Sequence, residues 1–200
     1  MTLIGRIHGG YVHNRRVRVL GNHLVELIPK AARVLDVGCG DGLLAHLLME
    51  KRPDIRVKGV DVLVRCHTHI PVDQFDGKVI PYADASFDVS MFVDVLHHTE
   101  APVFLLREAM RVTRAAIVIN DHTRNGLLAG PTLRLMDLIG NARHGVAIPY
   151  NYWHRQQWFE AFSTLDLTVG AWKQDLGLYP LPANWIFGRS LHFVARLDLT

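Results

Sequence analysis

Cysteine is nearly missing: Cys39 and Cys66 are the only two in 200 residues, with no paired-thiol spacing between them. That excludes a disulfide framework and suits a reducing setting, so a cytoplasmic location is expected. No uninterrupted apolar run reaches bilayer length, so no membrane span is expected. The opening residues Met1 to His8 lack the long apolar centre of a secretory signal. Neither sign of charge dominates: 22 Lys and Arg against 19 Asp and Glu leave +3, which does not argue for a nucleic-acid partner. The local concentration at Arg15, Arg16 and Arg18 reads as a solvated helix face. Twelve histidines are many, yet no H-x-x-x-H or H-E-x-x-H pair occurs, so no metal is expected. Repeats, low-complexity tracts and domain boundaries are all missing, which makes residues 1–200 a single domain.

What is present is apolar content, 49% of the chain, enough for a packed globule. The organising stretch is Val34-Leu35-Asp36-Val37-Gly38-Cys39-Gly40-Asp41-Gly42, followed by Leu43, Leu44, Ala45, Leu47 and Leu48 at helical spacing. It reads as strand, tight turn and helix, with glycines permitting the turn and close approach of backbone. The spacing is G-x-G-x-G, and Leu43 stands where a dinucleotide fingerprint has its third glycine. Asp36 and Asp41 flank the turn, and no Lys or Arg lies within it. A pyrophosphate would be repelled there, while an ammonium or sulfonium would be attracted.

Along the chain, Tyr11 to about Ile28 has a helical period that Pro29 ends, so residues 1–30 form an N-terminal helical cap. Ile55 to Val62 reads as a second strand ending in Asp61, roughly 20 residues past the glycines, where a βαβ unit delivers a carboxylate to a ribose. Leu63 to Lys78 reads as irregular. Val89 to Val93 is an apolar strand buried on both faces, with Asp94, His97 and His98 emerging at its C-terminal end. Pro102 starts the next helix, and Ile117 to Ile119 form a fifth strand opening into Asn120, Asp121 and His122. Residues 123–152 read as a helix or two followed by loops: either an inserted lid, with Arg143, His144, Tyr150 and Tyr152 as acceptor contacts joined by Tyr11 from the cap, or a surface helix with polar loop residues. Gln156 to Phe162 reads as a helix. Leu167 to Trp172 and Leu191 to Leu197 read as two final strands separated by a long loop.

The glycine turn, Asp61, the block Asp76 to Asp88 and Leu96-His97-His98 together resemble class I S-adenosylmethionine-dependent methyltransferases of the quinone-biosynthesis and natural-product type. The resemblance covers about Val34 to Asp121. It implies an α/β, Rossmann-like sheet of seven strands, mostly parallel with the last antiparallel, and helices on both faces. It further implies that Asp36, Gly38, Cys39 and Gly40 hold the methionine portion of S-adenosylmethionine and that Asp61 takes the ribose. Val62 flanks the adenine, Asp76 faces its amino group, Gly77 joins the cofactor-binding set, and the Val93 and Asp94 backbone lies near the amine. The product is S-adenosylhomocysteine. Methyl transfer goes to the oxygen, nitrogen or carbon of a small molecule, by in-line displacement at the sulfonium methyl. His97, His98, Asp121 and His122 stand where a base is expected, and the sequence leaves the choice among them open. Two other readings stay open: a cofactor-binding regulator without turnover, and an enzyme methylating RNA or protein. Two departures from the family pattern are visible. Phe75-Asp76-Gly77 stands at the usual Gly-Asp-Ala, and Thr113-Arg114-Ala115-Ala116 replaces the usual glycine turn.

Overall fold

The strand β1 (Arg33–Val37) buries every residue after its first, as a strand covered on both faces must. Its flanks pair in parallel with β2 (Arg56–Asp61) and β4 (Phe87–Val93). Outward from these, β3 (Val72–Gln74) joins β2 and β5 (Thr113–His122) joins β4, both in parallel. The last strand, β7 (His192–Asp198), runs antiparallel between β5 and β6 (Thr168–Lys173). The order is therefore β3-β2-β1-β4-β5-β7-β6. This computed structural model describes residues 3–141 and 150–200.

Alternation along β1 divides the core between the two faces of the sheet. Val34 packs with Leu20, Leu24 and Leu48 of α1 (Leu3–Leu27) and α2 (Leu43–Lys51). Leu35 packs with Leu106 of α3 (Pro102–Val112) and with Trp158 and Phe162 of α5 (Arg155–Thr164). The helices thus lie on both faces, as the resemblance implies.

Several boundaries differ from the sequence reading. The first helix begins at Leu3, not near Tyr11. The stretch read as irregular contains β3, a three-residue edge strand tied by Gly59↔Val72 register, too short for a periodic signal. The segment Thr113 to Ala116, read as connection, is already strand: Thr113 caps α3 and its hydroxyl meets that of Ser90 at 2.6 Å inside the sheet. The long loop before β7 carries a five-residue helix, α6 (Ala183–Phe187). Within 123–152 lies α4 (Ala129–Asn141), whose Leu133 packs against Tyr152 and Leu191.

Candidate active site

The glycine turn leaves β1 at the C-terminal edge of the sheet, with Gly38, Gly40 and Gly42 all in the left-handed region. Most of its donors are spent inside the protein. Gly38 and Cys39 donate to the Val60 carbonyl, Gly42 donates to the Cys39 carbonyl, and Leu43 donates to the Asp41 carboxylate. Gly40 donates to Asp61 Oδ2 at 2.8 Å. A turn whose N–H groups are committed in this way does not offer the anion cradle that a pyrophosphate needs. The Cys39 thiol lies against Gly59 rather than outward, so only the backbone of Cys39 belongs to the turn's inner wall.

The acids of this region favour a cationic guest. Asp36 is buried, and no basic side chain pairs with it among the described residues. Burial, reinforced by the Asp61 charge, pushes its pKa up to about 7. A buried carboxyl without a counter-charge is a site awaiting one, and S-adenosylmethionine carries positive charge at its methionine end. The residues present therefore fit that cofactor. Asp61 Oδ1 accepts from Leu63 N–H at 2.9 Å, which fixes the carboxylate at the strand end. Beside it, Val62 is half exposed and faces Gly77, where an added Cβ would lie 3.1 Å from its methyl. Asp76 lies on the same rim but spends one oxygen on Lys78 N–H and Val79 N–H, a turn cap that leaves its other oxygen outward.

At the next strand end the sequence-nominated histidines come together. Asp121, fully buried, accepts from Leu96 N–H, His122 N–H and His97 Nδ1 at 3.0, 2.7 and 2.7 Å. Burial opposes the charged form of His97, but Asp121 and Asp137 outweigh it and push its pKa up to about 10. Burial likewise works against ionised Asp121, yet the His97 and His122 contacts hold it far below the ordinary range. His98 goes the other way: burial and the neighbouring His97 charge push its pKa down to about 4. Four imidazoles, those of His97, His98, His122 and His192, thus sit side by side, and the adjacent pair His97 and His98 is pushed in opposite directions.

Residues that no local signal singles out complete this region. Arg16, read as part of a solvated face, turns inward and pairs with Asp94 Oδ2 at 2.6 Å; only Arg18 of its cluster is exposed. Asp137 from α4 accepts the Tyr152 hydroxyl and stands 3.6 Å from His97 Nε2. His192, first in β7, faces His122 across the antiparallel pair. Such partners are distant in sequence, which is why spacing rules miss them. The absence of a local histidine motif is thus no guide to how the histidines assemble here.

Of the acceptor contacts read from sequence, Tyr152 lies against His97 with ring centroids 5.7 Å apart, and Tyr150 is 6.2 Å from Tyr152. The segment carrying them is pinned to the histidine turn through Asn151 N–H to the His97 carbonyl. Tyr152 also lines a cavity of about 400 Å³, together with Arg124, Tyr150, His154 and, from α4, Ala129 and Arg134. Arg143 and His144 lie outside the described residues, as does the side chain of Tyr11.

Comparison with known proteins bears on the family and the fold. Residues 20–127, just over half of the chain, match the family described as "Methionine biosynthesis protein MetW". The chain is 30% identical over 110 residues to a 27-O-demethylrifamycin SV methyltransferase of Amycolatopsis mediterranei, covering 48% of this chain and 40% of that protein. It is 33% identical over 129 residues to a ubiquinone biosynthesis O-methyltransferase of Azorhizobium caulinodans, covering 58% and 50%. The chain therefore spans about half the length of the curated relatives it matches. A SAM-dependent methyltransferase structure from Aquifex aeolicus superposes with a TM-score of 0.62 at 16% identity, over 90% of this chain and 88% of that one. The fold is that of the class I methyltransferases.

Proposed function

The chain belongs to the MetW family, and from that premise we propose that it transfers the methyl group of S-adenosylmethionine to a small-molecule acceptor. The observation that carries this reading is Asp36, a buried acid without a counter-charge among the described residues, beside a glycine turn most of whose donors are committed. Its relatives by sequence are named as methyltransferases of small molecules, which supports the same chemistry.

When bound, S-adenosylmethionine supplies an activated sulfonium methyl, open to in-line displacement. The chain's residues bind and align. Asp36 and the Gly38 to Gly40 backbone hold the methionine end, and Asp61 takes the ribose hydroxyls. Val62 and Gly77 flank the adenine, with Asp76 toward its amino group and the Val93–Asp94 backbone near the amine. Alignment and exclusion of water supply most of the rate, because the donor is already reactive. The 123–152 segment serves as the lid, with Tyr150 and Tyr152 against the acceptor. Where the acceptor carries a proton to be lost, His98 Nδ1 receives it: the imidazole is neutral and half-buried, and its Nδ1 has no hydrogen-bond partner among the described residues. His97, held charged by Asp121, and His122 beside it orient the acceptor.

Calorimetric titration of the purified protein with S-adenosylmethionine, then detection of S-adenosylhomocysteine over a panel of phenols, amines and acidic carbon acids, tests the reading. Binding with turnover of one class is expected, and failure to bind the donor overturns it. A second reading has one observation behind it. The family's description names methionine biosynthesis and no methyl acceptor, which suits a cofactor-binding regulator. Donor binding without turnover of any acceptor would favour that reading.

A further inference from the structure

Three strand ends converge on one point. Asp94 follows β4, His122 ends β5 and His192 begins β7, and one ligand-capable atom from each lies within 4.8 Å of the others. His122 and His192 are directly opposed in the antiparallel register, with ring centroids 4.7 Å apart, so the sheet itself sets their spacing. Asp94 is held at a φ of 57°, an uncommon conformation for a residue with a side chain, and its N–H is tied to the Asn120 carbonyl at 2.9 Å.

Two of the three atoms aimed at that point have nothing to bond. His192 Nδ1 and Asp94 Oδ1 are buried without a hydrogen-bond partner among the described residues, and His192 is only 2% exposed. Leaving such atoms unmet is costly, so their convergence calls for a missing partner. Meanwhile the opposite ends of Asp94 and His192 are anchored, and the ligand atom of His122 is steadied by a neighbouring carboxylate. Arg16 holds Asp94 Oδ2 at 2.6 Å, the Tyr179 hydroxyl lies 3.4 Å from His192 Nε2, and Asp121 lies 3.4 Å from His122 Nδ1. Outer groups anchored behind the ligand atoms of Asp94 and His192 are the arrangement that orients metal ligands.

We propose that Asp94, His122 and His192 bind a divalent first-row transition ion such as zinc, cobalt or nickel. Two imidazoles with one carboxylate suit those ions better than magnesium or calcium, which take oxygen ligands. Three protein ligands leave at least one position for solvent or for an acceptor heteroatom. Atoms held at about 2.0–2.2 Å from one ion lie at most about 4.4 Å apart. His122 Nδ1 and Asp94 Oδ1 are 4.0 Å apart and all three atoms lie within 4.8 Å of one another, so binding an ion draws the side chains together. The neighbouring grouping of His97, Asp121 and His122 is less suitable, since Asp121 already accepts three hydrogen bonds. Cation binding is measured without a methyl donor, so its failure and the failure of the proposed methyl transfer are read separately.

The test is a cobalt(II) titration of the full chain after removal of metal by chelation. One ion per chain with visible ligand-field bands is expected, displaced by zinc. Asp94→Asn and His192→Gln should each weaken binding about tenfold or more, while His46→Gln and His98→Gln leave it unchanged. Because substitutions at buried positions can unfold the chain, the zinc-loaded wild type is also measured by X-ray absorption, with two imidazoles expected in the coordination sphere. Failure of the wild type to bind one ion, fewer than two imidazoles on it, or undiminished affinity in both Asp94→Asn and His192→Gln overturns the proposal. So does binding that depends on His98 and not on His192.

Discussion

The backbone N–H of Gly40 donates to the carboxylate of Asp61 at 2.8 Å, so the end of β2 holds the glycine turn of β1 in place. The residue proposed to take the ribose is also a structural clamp, and the two roles separate by substitution. Asp61→Ala should weaken S-adenosylmethionine binding by roughly 1.5–3 kcal/mol for each charge-assisted hydrogen bond lost, and should also lower the melting temperature. Asp61→Asn keeps an acceptor for Gly40, so it should lose affinity with a smaller loss of stability. Calorimetry and thermal denaturation of both variants check this; unchanged affinity in Asp61→Ala would contradict the ribose assignment.

Asp36 makes donor binding depend on pH. Its pKa in the fold is raised to about 7 from 3.8, so between those values the folded chain keeps a proton that the unfolded chain has released. Stability of the ligand-free protein therefore falls as pH rises from about 4 to 7, a cost on the order of 4 kcal/mol that is complete above pH 7. A cationic ligand prefers the ionised carboxylate and offsets that cost. Affinity for S-adenosylmethionine should accordingly rise with pH up to about 7 and then level off, with proton release on binding below that point. Titrations in buffers of different ionisation heat measure the release, and Asp36→Asn should flatten the profile.

The same two acids show what a sequence reveals. The glycine turn with Asp36 and Asp61 was legible because its requirements are local: positive φ at fixed spacing, then a carboxylate one βα unit later. The helices on both faces and the reversed β7 followed from the family resemblance that those residues anchor. By contrast, β3 has three residues and exists only through its register with β2. Arg16 looks like a surface arginine until its partner, 78 positions away, is brought to it. His192 looks like the polar start of a strand until antiparallel pairing sets it opposite His122. Contacts between distant strand ends leave no periodic trace, and much of the histidine region is of that kind.

Asp121 anchors the histidine turn from inside the protein. It accepts two backbone N–H groups and the His97 ring from full burial. Asp121→Ala strands three donors and a buried charge, and a loss of about 3–5 kcal/mol is expected. Asp121→Asn retains one acceptor oxygen and should lose less. Urea denaturation followed by circular dichroism ranks the two, and equal stability of Asp121→Ala and wild type would show that water replaces the carboxylate.

Gly38 links the cofactor turn to the histidines. Its φ is 74°, and an added Cβ would lie 2.6 Å from one methyl of Val95 and 3.0 Å from the other. Val95 immediately precedes the 3-10 turn Leu96–His98, so pressure on it reaches His97. Gly38→Ala should cost about 1–2 kcal/mol from the backbone conformation alone, with a further loss from the contact. Gly126→Ala, also at positive φ but with open space around it, should show only the backbone part. Adding Val95→Ala to Gly38→Ala removes both clashing methyls and should restore the contact part while leaving the backbone part. A double-mutant cycle on melting temperature and donor affinity therefore reads the coupling between turn and histidines directly. Strict additivity would mean that the glycine serves the turn alone.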